Sequence, residues 1–353
     1  MAERRILILG EGYSHDPHHG KTMRGIIRYG PDPVVAILDS ARAGKTHDGI
    51  PILASVEDAL AYDPTVAVVG VATTGGRFPP AWRDLLKACL AHGLDVESGL
   101  HEFVSEDPEL VELARDHGAT LRDLRKPPQG LSVPTGANLE VDATIVLTVG
   151  SDCAIGKKTV AVELDLEARR RGLASVFVPT GQTGIAIAGW GIAVDAVVAD
   201  FLAGAAERLV VEGAQRVQGA QRVEGAERGG KLLFVEGQGS LIHPLYSGVT
   251  LGLVHGAAPH LFVLCHRAGA TEIEDSPGHP IPPLRELVEL HERIALPRRR
   301  AKVACLALNT AAIESDDEAR SVIESEAAAA RLPADDPVRF GAGYLLDAIL
   351  ARL

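Results

Sequence analysis

Two adjacent lysines at the end of Gly150-Ser151-Asp152-Cys153-Ala154-Ile155-Gly156-Lys157-Lys158-Thr159 are the clearest invitation to chemistry in this chain. An apolar run, residues 143–149, precedes them, and a helix-like run, residues 160–171, follows. Strand, glycine-bounded loop and a lysine opening a helix form the context of a phosphate-cradling loop. Backbone N–H groups turn inward, the helix N-terminus adds partial positive charge, and Lys157 adds a full one. Residues 150–159 are therefore the candidate phosphate or nucleotide site, with Lys157 also a catalytic candidate. Two departures stand out. The strict spacing puts Ser151 where the first glycine belongs, and counting from Gly150 leaves five intervening residues before Gly156-Lys157. The hydroxyl that normally follows the lysine to hold Mg²⁺ is replaced by Lys158, and Thr159 lies about 100° further round a helix. That argues against ordinary Mg-nucleotide geometry but not against a polyanion. A ligand-free strand–helix connection is the plainer alternative, but two lysines beside a dry loop call for an anion.

Glu236 follows the apolar run 231–235, where P-loop proteins keep an acid that holds a metal or its water. Gly237 and Gly239 would let the backbone approach a ligand. His266 ends another apolar run, 261–266, so either Glu236 or His266 could serve as general base, a structural histidine being the alternative. Thr180, Gln182 and Thr183 follow the strand 174–178 in a polar, glycine-flanked turn that either grips a second substrate or is a plain tight turn. With Gly237, Gln238, Gly239, His243 and Tyr246 they form the candidate substrate set. No resident metal is expected; if Mg²⁺ is used, Glu236 and Asp152 would hold it. Cys153 either packs inside the loop or acts as a nucleophile. Asp195 either caps a helix over 195–210 or faces the site with Asp200. Asn309, ending the strand 303–308, stands where related folds read a base.

The remaining sequence must position these groups. The 353 residues suit two domains, and an apolar share of 46% suffices for aliphatic cores. A net charge of −12 argues against general nucleic-acid binding, so any anion must meet a local basic site. No apolar run approaches the ~18 residues of a membrane span. Met1-Ala2-Glu3-Arg4-Arg5 does not read as a signal peptide. Cys89, Cys153, Cys265 and Cys305 are scattered, without a Cys-x-x-Cys pair, which suggests reduced thiols. The expectations are a cytoplasmic enzyme, a small-molecule substrate, no nucleic-acid or membrane partner, and a homo-oligomer.

The fold class expected is α/β in two domains: a Rossmann-like parallel sheet over 1–125, a linker over 126–140 rich in proline and glycine, and a P-loop parallel sheet over 141–353. In the first, strands at 5–9, 34–38, 66–71, 94–96 and 120–122 alternate with helices at 21–29, 56–61, 79–92 and 108–117. Asp39 ends the second strand, where Rossmann folds hold a ribose, but Gly10-x-Gly12 lacks the third glycine, so a scaffold without a dinucleotide is favoured. Gly20-Lys21-Thr22 mimics a P-loop ending without its upstream glycine. His15, His18 and His19 either bind a metal or are solvated. Residues 211–228 repeat a hexamer three times, each copy carrying a helix-weakening glycine, and read as a surface insertion over 211–230.

The five-residue spacing of the loop resembles the dethiobiotin-synthetase branch of P-loop enzymes. The motifs at 150–159, Thr180-Gly-Gln-Thr-Gly184, Val194-Asp-Ala-Val-Val-Ala-Asp200, Val235-Glu-Gly-Gln-Gly-Ser-Leu241 and His243-Pro…Tyr246-Ser-Gly-Val-Thr250 together resemble the D-glutamate N-acetyltransferase-like family, formerly a domain-of-unknown-function family. Asp39-Ser40…Ala43-Gly-Lys45, Ser98-Gly-Leu-His-Glu-Phe103 and Arg125-Lys-Pro-Pro128 extend the resemblance over almost the whole chain. It implies a Rossmann-like domain joined to a P-loop domain and, for some members, acetyl transfer to D-glutamate. Acetyl-CoA would be the co-substrate, with ATP and Mg²⁺ the alternative. Three functions follow: an N-acyltransferase whose oxyanion is met by N–H groups near Gly237 and Gly239, an ATP/Mg-dependent ligase or kinase on a small carboxylate, or a non-catalytic nucleotide sensor.

Overall fold

The computed structural model describes residues 3–16, 19–73, 76–79, 81–217 and 230–353. The chain forms two compact units, one of Met1–Pro127 with Gln182–Ala193, the other of Pro128–Gly181 with Val194–Leu353.

The first unit runs β1 (Ile6–Leu9), α1 (Lys21–Tyr29), β2 (Val34–Leu38), β3 (Thr46–His47), β4 (Ile50–Leu53), α2 (Val56–Ala59), β5 (Val66–Val69), α3 (Trp82–Ala91), β6 (Asp95–Ser98), α4 (Pro108–His117) and β7 (Leu121–Asp123). Its sheet order is β3-β4-β2-β1-β5-β6-β7, parallel except for β3 against β4. Strand alternation sends Leu7 and Leu9 to the face packed by Trp82, Leu86 and Leu90 of α3. Ile6 and Ile8 point to the other face, under Met23 and Ile26 of α1. The β3–β4 hairpin, absent from the sequence-based expectation, turns on Asp48-Gly49, both at positive φ, the pair a tight hairpin demands. Asp107 caps α4, Pro108 opens it and left-handed Gly118 closes it.

Asp39, just beyond β2, is fully buried. One carboxylate oxygen accepts the Gly12 N–H at 3.2 Å, and the other accepts the Ser14 N–H at 3.2 Å and the Ser14 hydroxyl at 2.5 Å. It ties the loop after β1 to the sheet, with both oxygens engaged by that loop. Thr22 has a similar structural use, its hydroxyl bonded to that of Thr183 at 2.7 Å. His19 is paired with Asp16 at 2.7 Å and His15 is exposed, while His18 lies outside the described residues.

The second stretch of chain runs β8 (Thr144–Gly150), α5 (Lys157–Arg170), β9 (Ala174–Val178), α6 (Gln182–Ala188), α7 (Ala199–Arg216), β10 (Lys231–Val235), α8 (Ser247–Ala257), β11 (Leu261–Arg267), α9 (Leu284–Ile294), β12 (Lys302–Asn309), α10 (Asp316–Ala330), β13 (Ala334–Asp335) and α11 (Gly343–Leu350). The second unit's sheet order is β13-β12-β11-β8-β10-β9, all parallel. β8 is buried throughout, as a central parallel strand between helical layers must be.

Three expectations change. Residues from Gln182 form α6 rather than a tight turn, and α6 belongs to the first unit, its Ala186 packed on the isoleucine face beside Met23. Asp195 does not cap a long helix: it sits in a 3-10 turn, Val194–Ala196, and α7 begins after Val198. The first hexamer copy is the end of α7, where Glu212 and Arg216 pair at 2.8 Å one helical turn apart and recover part of what the glycine costs the helix. The rest of the repeat from residue 218 lies outside the described residues. Part of the expected linker is fixed to α7: buried Glu207 accepts from the Thr135 N–H and hydroxyl and the Gly136 N–H, at 2.7–2.8 Å.

Candidate active site at the phosphate loop

β8 delivers Gly150 to the loop and α5 begins at Lys157, so strand, loop and helix take the order expected of a phosphate cradle. Ala154 and Gly156 adopt positive φ, 53° and 113°, and curl the loop. A side chain at Gly150 would strike Ile155, which explains the glycine there. Ser151 anchors the loop to β11 twice: its N–H donates to the Cys265 carbonyl at 3.1 Å, and its hydroxyl shares a 2.8 Å hydrogen bond with His266 Nδ1. Lys157 is buried and donates Nζ–H to the Asp152 carbonyl oxygen. Burial pulls its ammonium below the usual lysine range, and Cys153, Cys265, Asp152 and Glu236 pull it back.

Glu236 follows β10, whose Val235 lies opposite Leu147 of β8. The N–H groups of Thr180 and Gly181 both donate to Glu236 Oε2, at 2.9 and 3.1 Å. The Thr180 hydroxyl donates to the Glu236 backbone carbonyl at 2.8 Å. Burial raises the Glu236 carboxyl to about 7, against the pull of the Thr180 N–H, Lys158 and the Gly181 N–H, and Asp195 adds to the rise. A carboxyl poised there exchanges protons readily near neutral pH. His266 goes the other way. Burial, then the charge of Arg267, pushes it down to about 4. It is a neutral ring fixed to Ser151.

Gly237 is required for packing, since a Cβ there would fall 1.7 Å from the Thr148 carbonyl oxygen. Its N–H donates to Thr148 Oγ1 at 2.8 Å, so it is not available to an oxyanion, contrary to the sequence-based expectation. Gly239, at φ 66°, is the member of that pair left for such a role. Gln238 turns its side-chain amide N–H back onto the Thr180 carbonyl, and its backbone carbonyl accepts the Thr250 hydroxyl at 2.7 Å. His243 is buried beside exposed Tyr246, ring centroids 4.8 Å apart.

Family models match both halves of the chain: a Rossmann-like domain of unknown function, DUF1611_N, over residues 39–127, and a P-loop domain of unknown function, DUF1611_C, over residues 132–346. The chain belongs to the DUF1611 family. It is 34% identical over 351 residues to a D-glutamate N-acetyltransferase of Tritonibacter scottomollicae, covering 98% of each chain. It is 31% identical to a D-glutamate N-acetyltransferase of a Pseudoalteromonas species, over 85% of this chain and 84% of that one. The crystal structure of a DUF1611 family protein from Anabaena variabilis superposes with a TM-score of 0.89 at 38% identity, covering 99% of both chains.

In this DUF1611 chain the P-loop expectation of Mg²⁺ can be tested on the donors present. Lys158, the second residue of α5, stands where a hydroxyl should bind the ion. Asp152 spends one oxygen on the Cys153 N–H at 2.6 Å and the other on the Glu274 N–H at 2.8 Å. Asp152, Cys153 and His243 bring a carboxylate oxygen, a thiol and a ring nitrogen within 4.8 Å of one another. However, the Leu245 N–H donates to His243 Nδ1 at 3.1 Å, so the neutral ring carries its proton on Nε2, 4.0 Å from Asp152. A ligating histidine needs the opposite arrangement. The residues do not fit a divalent ion.

The remaining candidates are divided by the fold. Thr180 stays with Glu236, whereas Gln182 and Thr183 belong to the first unit, where a side chain at Gly99 would strike Gln182. Asn309 donates to the Ile155 carbonyl at 3.4 Å and accepts the Ala311 N–H at 3.1 Å, so it buttresses the loop rather than presenting itself to a base. Sequence reasoning missed Thr148 and Gly181. A hydroxyl near the C-terminal end of the apolar run of β8 was the available signal for Thr148.

Proposed function

We propose that this protein transfers the acetyl group of acetyl-CoA to the amino group of D-glutamate. The observation that carries the reading is Glu236, a buried carboxyl raised to about 7 and clasped on one oxygen beside a phosphate loop with two lysines. The names of two relatives supply the substrate. In this reading residues 150–159 hold the CoA phosphates, with Lys157 and Lys158 balancing their charge. Glu236 takes a proton from the substrate ammonium, and the freed amine attacks the thioester carbonyl. The C–N bond forms, the C–S bond breaks, and the CoA thiolate leaves with a proton from the nitrogen. Glu236 is a better base than His266, because a ring near 4 holds a proton too weakly at neutral pH.

The test is incubation of purified protein with D-glutamate and either acetyl-CoA or ATP-Mg²⁺, following free thiol and ADP. Thiol release that depends on D-glutamate is the expected outcome. ADP release would replace this reading with a ligase or kinase, and binding without either product would leave a sensor.

A further inference from the structure

A P-loop normally borrows a divalent ion: the hydroxyl after the loop lysine and an acid at the end of a neighbouring strand hold it against the phosphates. Here both positions are occupied, but the first by a cation. We propose that the Lys158 side chain replaces the metal, so that this phosphate loop is built for a diester-linked pyrophosphate and binds it without a divalent ion. The inference deepens the acetyl-CoA reading and, for its ligand, rests on it.

Four observations point the same way. Lys158 lies in the first turn of α5, one residue from buried Lys157, and the helix N-terminus adds to their positive charge. Its charge reaches Glu236, where it opposes the effect of burial. Glu236 already commits Oε2 to two backbone N–H groups, so it offers a divalent ion, which needs several oxygen ligands, one free oxygen. Asp152 has both carboxylate oxygens engaged by backbone N–H groups. The charge count also selects a ligand. Each phosphate in the pyrophosphate of CoA has one ester and one anhydride bond and so one charge, which Lys157 and Lys158 match. A terminal triphosphate carries more negative charge than two lysines balance, which is why Mg²⁺ ordinarily accompanies it.

The experiment is calorimetric titration of CoA into wild type, Lys158→Ser and Lys158→Ala, each in EDTA and in excess Mg²⁺, with thermal melting to show that the variants fold. Wild type binds CoA equally in both buffers. Both variants bind about tenfold more weakly in EDTA, the scale of one charged hydrogen bond. Lys158→Ser recovers part of that loss with Mg²⁺ because it restores the hydroxyl beside Glu236, and Lys158→Ala recovers none. Wild-type binding that requires Mg²⁺, or a Lys158→Ala variant that binds as wild type does, overturns the proposal. If wild type binds no CoA, the acetyl-CoA reading fails by itself. Titration of ADP-ribose, whose pyrophosphate is likewise esterified at both ends, then decides the metal question: equal binding in EDTA and Mg²⁺ supports Lys158 as the cation, and Mg²⁺-dependent binding, or none, overturns it.

Discussion

Asp39 and Glu236 both stand one residue past a parallel strand, and both are buried. They differ in how their oxygens are used. Asp39 accepts three hydrogen bonds spread over both oxygens, all from the loop after β1. Glu236 accepts two, both on Oε2, and among the described residues none reaches Oε1. A carboxylate satisfied on both sides is a fastener. One satisfied on a single side, and lifted to about 7 by burial, keeps an oxygen for a proton. Position in the fold is shared, and hydrogen-bond accounting separates scaffold from site.

Lys157→Met should have the broadest effect, on binding as well as rate, because it removes the buried ammonium that reaches the Asp152 carbonyl. We expect acetyl transfer to fall by about two orders of magnitude or more, with CoA binding weakened and cooperative melting retained. Undiminished CoA binding in this variant would mean that the second sheet's edge is as inert as the first.

The paired variants Asp39→Asn and Glu236→Gln test the comparison directly. Asp39→Asn should lose about 1–3 kcal/mol of stability, read as a lower urea midpoint, without changing the pH profile of any activity. Glu236→Gln should fold and lose about 100-fold or more in rate. Its folded pKa is raised, from 4.5 to about 7, so the native state holds a proton that the unfolded state has released across that window. The Glu236 contribution is therefore most favourable below 4.5, declines as pH rises through the window and levels off above about 7. In Glu236→Gln that decline disappears, so its melting temperature should rise relative to wild type between pH 4.5 and 7. Wild-type rate should climb through pH 7 as the carboxylate forms. Flat difference curves would put Glu236 in the same class as Asp39.

The same contrast explains what could be read from residue order. Apolar runs bounded by glycine and proline located β2, β10, α1 and α4 to the residue, because their packing is dictated locally by periodicity. The loop at 150–159 was legible for the same reason: glycine and lysine spacing is a local signal. The β3–β4 hairpin was available in Asp48-Gly49 but its strands are too short to show a period. What residue order could not show was long-range use of hydrogen bonds. That the Gly237 N–H is taken by Thr148 and that two N–H groups from 180–181 share one oxygen of Glu236 depend on how β8, β9 and β10 align. The departure of α6 to the first unit is likewise a tertiary outcome, since Gln182–Ala188 carries no sign of which sheet it will cover.

The smallest expected effects come from single methyl groups at the two mouths. At Gly12 a Cβ would meet nothing within 4 Å, but φ is 75°, so Gly12→Ala should cost about 1–2 kcal/mol of stability through backbone strain alone. At Gly181 a Cβ would sit 3.1 Å from Gln238 Nε2 and 3.4 Å from Glu236 Oε1. The methyl would crowd the oxygen that carries the proton and dry its surroundings, and desolvation favours the neutral acid. Gly181→Ala should therefore leave the melting temperature nearly unchanged, lower the rate at pH 7 by about threefold, and move the rising limb of the pH–rate profile upward. Recovery of the wild-type rate at higher pH distinguishes this from simple misplacement of Glu236, which would depress the rate at every pH.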